Sequence, residues 1–213
     1  MRTDQLVDFL ELRLTSPLPG IDAQRRMMPF DRSEERFNAA LMQNARPSGV
    51  LVAFYQKDGE WHIPLTLRHD YGGPHSGQVS FPGGKMEEGD GSIEYTALRE
   101  AQEEIGITPQ DVRVLGHLSD LYIPPSNFRV TPVVGFLPSA PEFAPDSFEV
   151  KELIETPLSL LRASATVKRK DIQISERFRL NAPYFDVYGN VVWGATAMML
   201  SELLVIINEW DPE

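Results

Sequence analysis

Cysteine is missing from all 213 residues of this chain. That absence removes a disulfide framework, a thiolate nucleophile and cysteine-ligated zinc from consideration, and it fits reducing surroundings. Basic residues are scarce as well. Twenty lysines and arginines face 31 acids for a net charge of -11, which disfavours a broad nucleic-acid surface or an anionic membrane as partner. No run approaches the roughly 18 apolar residues of a membrane span, and the opening Met1-Arg2-Thr3-Asp4-Gln5-Leu6 lacks the apolar core of a signal peptide. A cytoplasmic protein is the expectation. Repeats and low-complexity tracts are absent too. With 42% hydrophobic and 24% charged residues, the chain is able to bury one substantial core. A phosphate-bearing substrate would have to be met by metal and by local basic residues.

What the sequence does contain is concentrated between Gly83 and Ile107. A glycine-rich turn through Gly83-Gly84-Lys85 feeds a helix that carries Glu100, Glu103 and Glu104. At about 100° per helical residue these three share an arc of roughly 100°, while Ala97, Leu98, Ala101 and Ile105 fill a neighbouring apolar arc. One face packs and the other gathers carboxylates. Like charges at such spacings oppose helix formation by roughly 0.2 to 0.5 kcal/mol per pair, so placing three beside Arg99 makes sense around a cation. Oxygen-only ligands point to Mg2+ or Mn2+. Most acidic helix faces are merely solvated, yet Arg-Glu-x-x-Glu-Glu-x-Gly fixes five positions. At about one chance in fifteen for each, the pattern arises on the order of once per million starting residues.

Leu6, Phe9, Leu10 and Leu12 predict a short amphipathic helix, ended by Ser16-Pro17-Leu18-Pro19-Gly20. Residues 1–47 are expected to form a helical arm packing on a domain of residues 48–213, with a homodimer as one use for the arm. Ser33 to Ala45 has helix-forming composition, and Phe37, Leu41 and Met42 offer an apolar side. Val50 to Phe54 read as a buried strand, and Lys57-Asp58-Gly59 as a tight turn into a second strand over Trp61 to Arg68. A polar loop from Tyr71 to Gly77 leads to Gln78-Val79-Ser80-Phe81 and the double glycine. Ser92 or Asp90 is placed to cap the acidic helix, and Gly106 to end it. Strands are expected over Val112 to Tyr122, Phe128 to Phe136, Val150 to Glu155, Ile172 to Ile174 and Tyr184 to Val187, with a short helix near Leu158 to Leu161. A closing helix opens at Trp193-Gly194-Ala195-Thr196-Ala197 and runs to about Trp210. Strands and helices without a βαβ rhythm predict a mixed sheet sandwiched between helices.

The glycine turn together with Arg99-Glu100-Ala101-Gln102-Glu103-Glu104-Ile105-Gly106-Ile107 resembles the box of the Nudix hydrolases. The resemblance implies an α/β/α sandwich, α+β in type with a mixed central sheet, and hydrolysis of a nucleoside diphosphate linked to another group. Counting from Gly84, Asp90 stands where the family usually has glutamate, and eight residues rather than seven separate it from Arg99. The extra residue lies in the loop before the helix. Upstream, Leu65-Thr66-Leu67-Arg68 and His75-Ser76-Gly77-Gln78-Val79-Ser80-Phe81-Pro82-Gly83-Gly84 resemble the additional motif of the coenzyme A pyrophosphatase branch, with Gly73 where that branch often has arginine. Similarity continues through Val130 to Phe136 and Val192 to Ala197.

The resemblance also implies roles. Glu100 and Glu104 bind metal, Glu103 is a further ligand or the base that orients water, and Gly84 offers a carbonyl oxygen to the ion. Arg99 is expected to pair with a box carboxylate and orient it. Gly83 and Gly84 leave room for close backbone approach to metal or phosphate, and Glu149 is a further carboxylate within reach on a loop. Coenzyme A carries a 3′-phosphate besides its diphosphate, so Arg68, His75 and Lys85 are expected substrate contacts, with Gln78 beside them. Lys168-Arg169-Lys170 reads as solvated surface, and His62, His69 and His117 lack metal-ligand spacing. The expected reaction splits coenzyme A or an acyl-coenzyme A into 3′,5′-ADP and 4′-phosphopantetheine or its acyl derivative. ADP-ribose, a dinucleotide or a nucleotide sugar are the alternative substrates for the same chemistry. A fold that binds without turnover is disfavoured by three intact carboxylates.

Overall fold

A computed structural model describes residues 3–29, 38–70, 77–175 and 178–210. Its centre is strand β1 (Arg46–Lys57), buried from Ser48 to Tyr55 and therefore covered on both faces. Period-two alternation divides those residues between two apolar clusters. Leu51, Ala53 and Tyr55 join one cluster, and Val50, Val52 and Phe54 join the other.

Asp58 and Gly59, both at positive φ (52° and 79°), turn β1 into the antiparallel β2 (Glu60–Arg68). Two short strands follow. β3 (Val79–Ser80) pairs with β2, and β4 (Gly83–Lys85) pairs with β1, so the expected glycine turn is itself a strand. After helix α4 (Ile93–Ile105) come β5 (Arg113–His117) and β6 (Leu121–Ile123), both antiparallel to β7 (Phe128–Phe136). β7 runs parallel to β1 from Arg46↔Phe128 to Phe54↔Phe136, and β8 (Val150–Pro157) closes on β2. The result is an eight-stranded mixed sheet.

α4 packs Ala97, Ala101 and Ile105 on one face. The opposite cluster takes Leu6, Val7 and Leu10 from α1 (Thr3–Arg13) and Leu200, Leu203 and Ile206 from α6 (Gly194–Ile207). This is the expected α/β/α sandwich. α6 is buried on nearly every side, as an all-round apolar helix must be. Its one acid, Glu202, is fully buried and accepts from Gly20 N (3.0 Å), Gln24 Nε2 (2.9 Å) and Ser119 Oγ (2.6 Å). Those bonds tie α2 (Gly20–Gln24) and the β5–β6 turn to α6.

Several expectations need correction. Leu12 is 74% exposed, because Leu6, Val7 and Leu10 form the buried stripe of α1. The single strand expected over Val112 to Tyr122 is two, β5 and β6, interrupted at residues 118–120, and β5 itself carries a register shift beside Gly116, whose φ is 150°. Within Ser33 to Ala45, α3 is helical over Ala39–Gln43, and Phe37 lies outside the described residues. Ile172 to Ile174 and Tyr184 to Val187 are parts of the longer β9 (Val167–Ser175) and β10 (Phe178–Val187). With β11 (Asn190–Trp193) these form a separate three-stranded sheet. The short helix α5 spans Leu158–Arg162, and α6 stops at Ile207 rather than Trp210.

Candidate active site

The acidic helix begins at Ser92, whose hydroxyl accepts from Tyr95 N at 3.2 Å, and ends at Gly106 in the left-handed conformation (φ 75°). α4 lies unusually close to the sheet. A Cβ on Gly49 of β1 would come within 2.7 Å of the Ile93 carbonyl oxygen. That approach brings Glu100 and Glu104 level with β4. A Cβ on Gly84 would fall 2.4 Å from Glu100 Oε2, and one on Gly83 the same 2.4 Å from the Gly49 carbonyl oxygen. Gly83 is thus required by the β1 backbone, and a side chain at Gly84 would displace the Glu100 carboxylate.

Glu104 is 2% exposed. Arg68 Nη1 reaches its Oε1 at 3.1 Å, and the Gly83 N–H donates to its Oε2 at 3.2 Å. Burial pushes its pKa up to about 7, Arg68 and the Gly83 amide pull against that, and Glu149 and Glu100 add to the rise. Glu100 is likewise raised, chiefly by burial, although Arg99 Nη2 holds its Oε1 at 2.9 Å. The loop carrying Glu149 is hung on the end of the helix. The Ala144 amide donates to the Ile105 carbonyl at 3.0 Å and the Asp146 amide to the Glu104 carbonyl at 2.9 Å, which satisfies oxygens a helix end leaves without partners.

Arg99 organises the other side. Its Nε and Nη2 bind Asp90 Oδ1 and Oδ2 at 2.9 and 3.1 Å, Nη1 binds Glu103 Oε2 at 2.9 Å, and Nη2 also reaches the Lys85 carbonyl at 3.3 Å. Asp90 does not cap the helix. It is buried, accepts from Glu87 N (2.8 Å) and Thr96 Oγ1 (2.9 Å), and is held well below the usual carboxylate range by Arg99. The Glu103 side chain is 60% exposed and turned to Arg99.

These groups open on a cavity of about 560 Å3. Arg68, Gln78, Gly83, Gly84 and Lys85 line it together with Glu100, Glu104 and Glu149. Glu103 does not reach the lining, and His75 lies outside the described residues. Ser48, absent from the sequence reading, also lines the cavity and donates to the Gly84 carbonyl at 2.7 Å. Phe128, Trp193 and Met199 form an apolar wall. Lys168, Arg169 and Lys170 fall within β9, with Lys168 bound to Asp186. Signals for Ser48 and Gly49 were lacking, since both are common residues at the head of an apolar strand.

Among the described residues no three acidic or histidine side chains are drawn together around one point as a ready metal cluster. Arg68 and Arg99 hold Glu104 and Glu100 in ion pairs instead. The donor chemistry nevertheless fits a hard divalent cation. Glu100, Glu104 and Glu149 supply oxygen alone, and the rise of Glu104 and Glu100, owed first to burial and then to neighbouring carboxylates, is one a cation would relieve.

The NUDIX domain family matches residues 45–190. An uncharacterized Nudix hydrolase NudL of Cronobacter sakazakii is 36% identical over 193 residues, covering 85% of this chain and 96% of that protein. The mouse protein named peroxisomal coenzyme A diphosphatase NUDT7 is 35% identical over 169 residues, covering 76% of this chain and 71% of its own. Among solved structures, the Nudix hydrolase RenU of M. smegmatis shares the fold, with a TM-score of 0.55 at 14% identity over 79% of this chain and 89% of that one. With the family matched over more than half its length and relatives of this identity, the chain belongs to the Nudix hydrolases and is a pyrophosphohydrolase.

Proposed function

We propose that this enzyme cleaves the diphosphate bond of coenzyme A or an acyl-coenzyme A, yielding 3′,5′-ADP and 4′-phosphopantetheine or its acyl derivative. The observation that carries the site is the buried Glu104 lining a 560 Å3 cavity together with Glu100 and Glu149. For the substrate, support comes from the relative named coenzyme A diphosphatase and from the motif of Arg68 and Gln78 to Gly84, most of which lies along the cavity.

Glu100, Glu104 and Glu149 are the groups that would hold Mg2+ or Mn2+, with the Gly84 carbonyl beside them. Ser48 donates to that carbonyl at 2.7 Å and holds it in place. A divalent ion bound there supplies neutralisation of crowded phosphate oxygens and a more acidic water. Arg99 is a positioning residue. It fixes Glu100 over Gly84 and draws Glu103 outward, anchored itself by buried Asp90. Arg68 and Lys85 bring positive charge to the phosphates, and Arg68 leaves its bond to Glu104 in part when a phosphate arrives. Glu103, on the rim, contributes through Arg99 rather than by direct ligation.

Purified protein incubated with coenzyme A and Mg2+ is expected to release 3′,5′-ADP, identified by mass, and to stop on chelation. Glu104→Gln should lower turnover at least a hundredfold, and Glu103→Gln about tenfold, as for an outer contact. Consumption of ADP-ribose with coenzyme A untouched would overturn the substrate. Native-like turnover in Glu104→Gln would overturn the site.

A further inference from the structure

Two residues of the second sheet, Gln173 of β9 and Trp193 of β11, reach the lining of the catalytic cavity, and Gln173 is the polar one that lies beside a cation. β11 pairs with Tyr184 to Val187 of β10. From Phe178 to Pro183, β10 therefore runs on past that shorter neighbour, held by β9 as a two-stranded ribbon. Gln173 and Arg179 are direct cross-strand partners in it, which puts both side chains on one face. The Arg179 Nε–H donates to Gln173 Oε1 at 2.6 Å.

That bond leaves the outer nitrogens of the guanidinium fork for another acceptor. Arg179 is exposed, and among the described residues the Gln173 amide is its partner, with no carboxylate neutralising it. Of the neighbouring cations of β9, Lys168 is held by Asp186, Arg169 by Asn181, and Lys170 lies over the Tyr184 ring. The cavity's acids, Glu100, Glu104 and Glu149, come from α4 and from the loop hung on its end, whereas β9, β11 and α6 contribute Gln173, Trp193 and Met199 without a carboxylate. An anion on this second side meets no acid in the wall beside it.

We infer that Arg179, positioned by Gln173, is the specificity determinant for a second anionic group of the substrate, the 3′-phosphate of a coenzyme A-type nucleotide, separate from the diphosphate being cleaved. The inference rests on the coenzyme A reading above. It assigns to the ribbon a recognition role outside the glycine turn and the acidic helix.

The test compares kcat/KM for coenzyme A and for 3′-dephospho-coenzyme A in the native enzyme, Arg179→Ala, Arg179→Lys and Gln173→Ala. Loss of one partly exposed charge-assisted contact should cut the preference for the 3′-phosphorylated substrate about tenfold in Arg179→Ala, through KM rather than kcat. Arg179→Lys should recover part of it. Gln173→Ala should move the same ratio in the same direction by a smaller factor. Inhibition by 3′,5′-ADP should weaken in parallel, and inhibition by 5′-AMP should not. A native enzyme that cleaves coenzyme A, with the same preference kept in Arg179→Ala, overturns this inference alone. A native enzyme that leaves coenzyme A intact removes the substrate reading and this inference with it.

Discussion

Glu104 shows how burial and function pull against each other in one residue. Its carboxyl is raised from its ordinary value to about 7 because burial disfavours the charge more than Arg68 and the Gly83 amide favour it. A folded state that keeps its proton longer than the unfolded chain loses stability as pH rises between the two pKa values. Metal-free protein is therefore expected to be more stable at pH 5 than at pH 7.5 by a contribution that Glu104→Gln removes. Denaturant midpoints of both proteins in chelator check this, and an equal slope in both would refute it. Added Mg2+ should restore the native protein selectively near neutral pH, since a deprotonated carboxylate is what the ion requires. Spacing in the sequence located Glu100 and Glu104 well, because their separation fixes one helix face. The same arc placed Glu103 with them, but periodicity says nothing of neighbours, and Arg99 turns that side chain out to 60% exposure. Asp90 was illegible for a related reason. Its partners Thr96 and Arg99 lie beyond a loop of altered length, and nothing local marks a buried acid.

The contact of α4 with β1 sets the site at the level of elements. Gly49 permits the helix to lie against the strand, and a methyl there would press on the Ile93 carbonyl at 2.7 Å. Neither partner is the flexible end of a side chain. Gly49→Ala is expected to cost about 1 to 3 kcal/mol, as overpacking does, and to lower turnover by shifting Glu100 and Glu104 together. Chemical denaturation checks the first effect, and a midpoint equal to the native one would show that the helix has room to move. Elements with a strong local pattern were readable in advance. β7 spans Phe128–Phe136 as expected, the β1–β2 turn falls at Asp58-Gly59, and Ser92 and Gly106 bound α4. β4 was not, because glycines carry no strand signal and its pairing with β1 is a long-range event. The ribbon of β9 and β10 was read only at its ends. Its middle is polar on one face, where Asn181 meets Asp171 and Arg169, so alternation there does not register as hydrophobic.

Across the whole molecule, the buried Glu202 carboxylate is where distant parts of the chain meet. It gathers the Gly20 amide, the Gln24 side chain and Ser119, leaving it with donors on both oxygens. Glu202→Ala would strand those donors and is expected to cost about 3 kcal/mol, a fall in Tm of roughly 6 to 12 °C. Hydrogen exchange should quicken first at the amides of residues 20–24, and unchanged protection there would show that apolar packing alone seats the segment. The sequence separation of these bonds, 182 residues for Gly20 and 178 for Gln24, also dictates timing during synthesis. At ordinary ribosomal speeds, the first-made helices wait on the order of 10 to 40 s before the residue that anchors them emerges. Until then Leu6, Val7 and Leu10 have no α6 to cover them. Over that interval the nascent polypeptide carries an unshielded greasy stripe, which makes it a natural client for a holding chaperone.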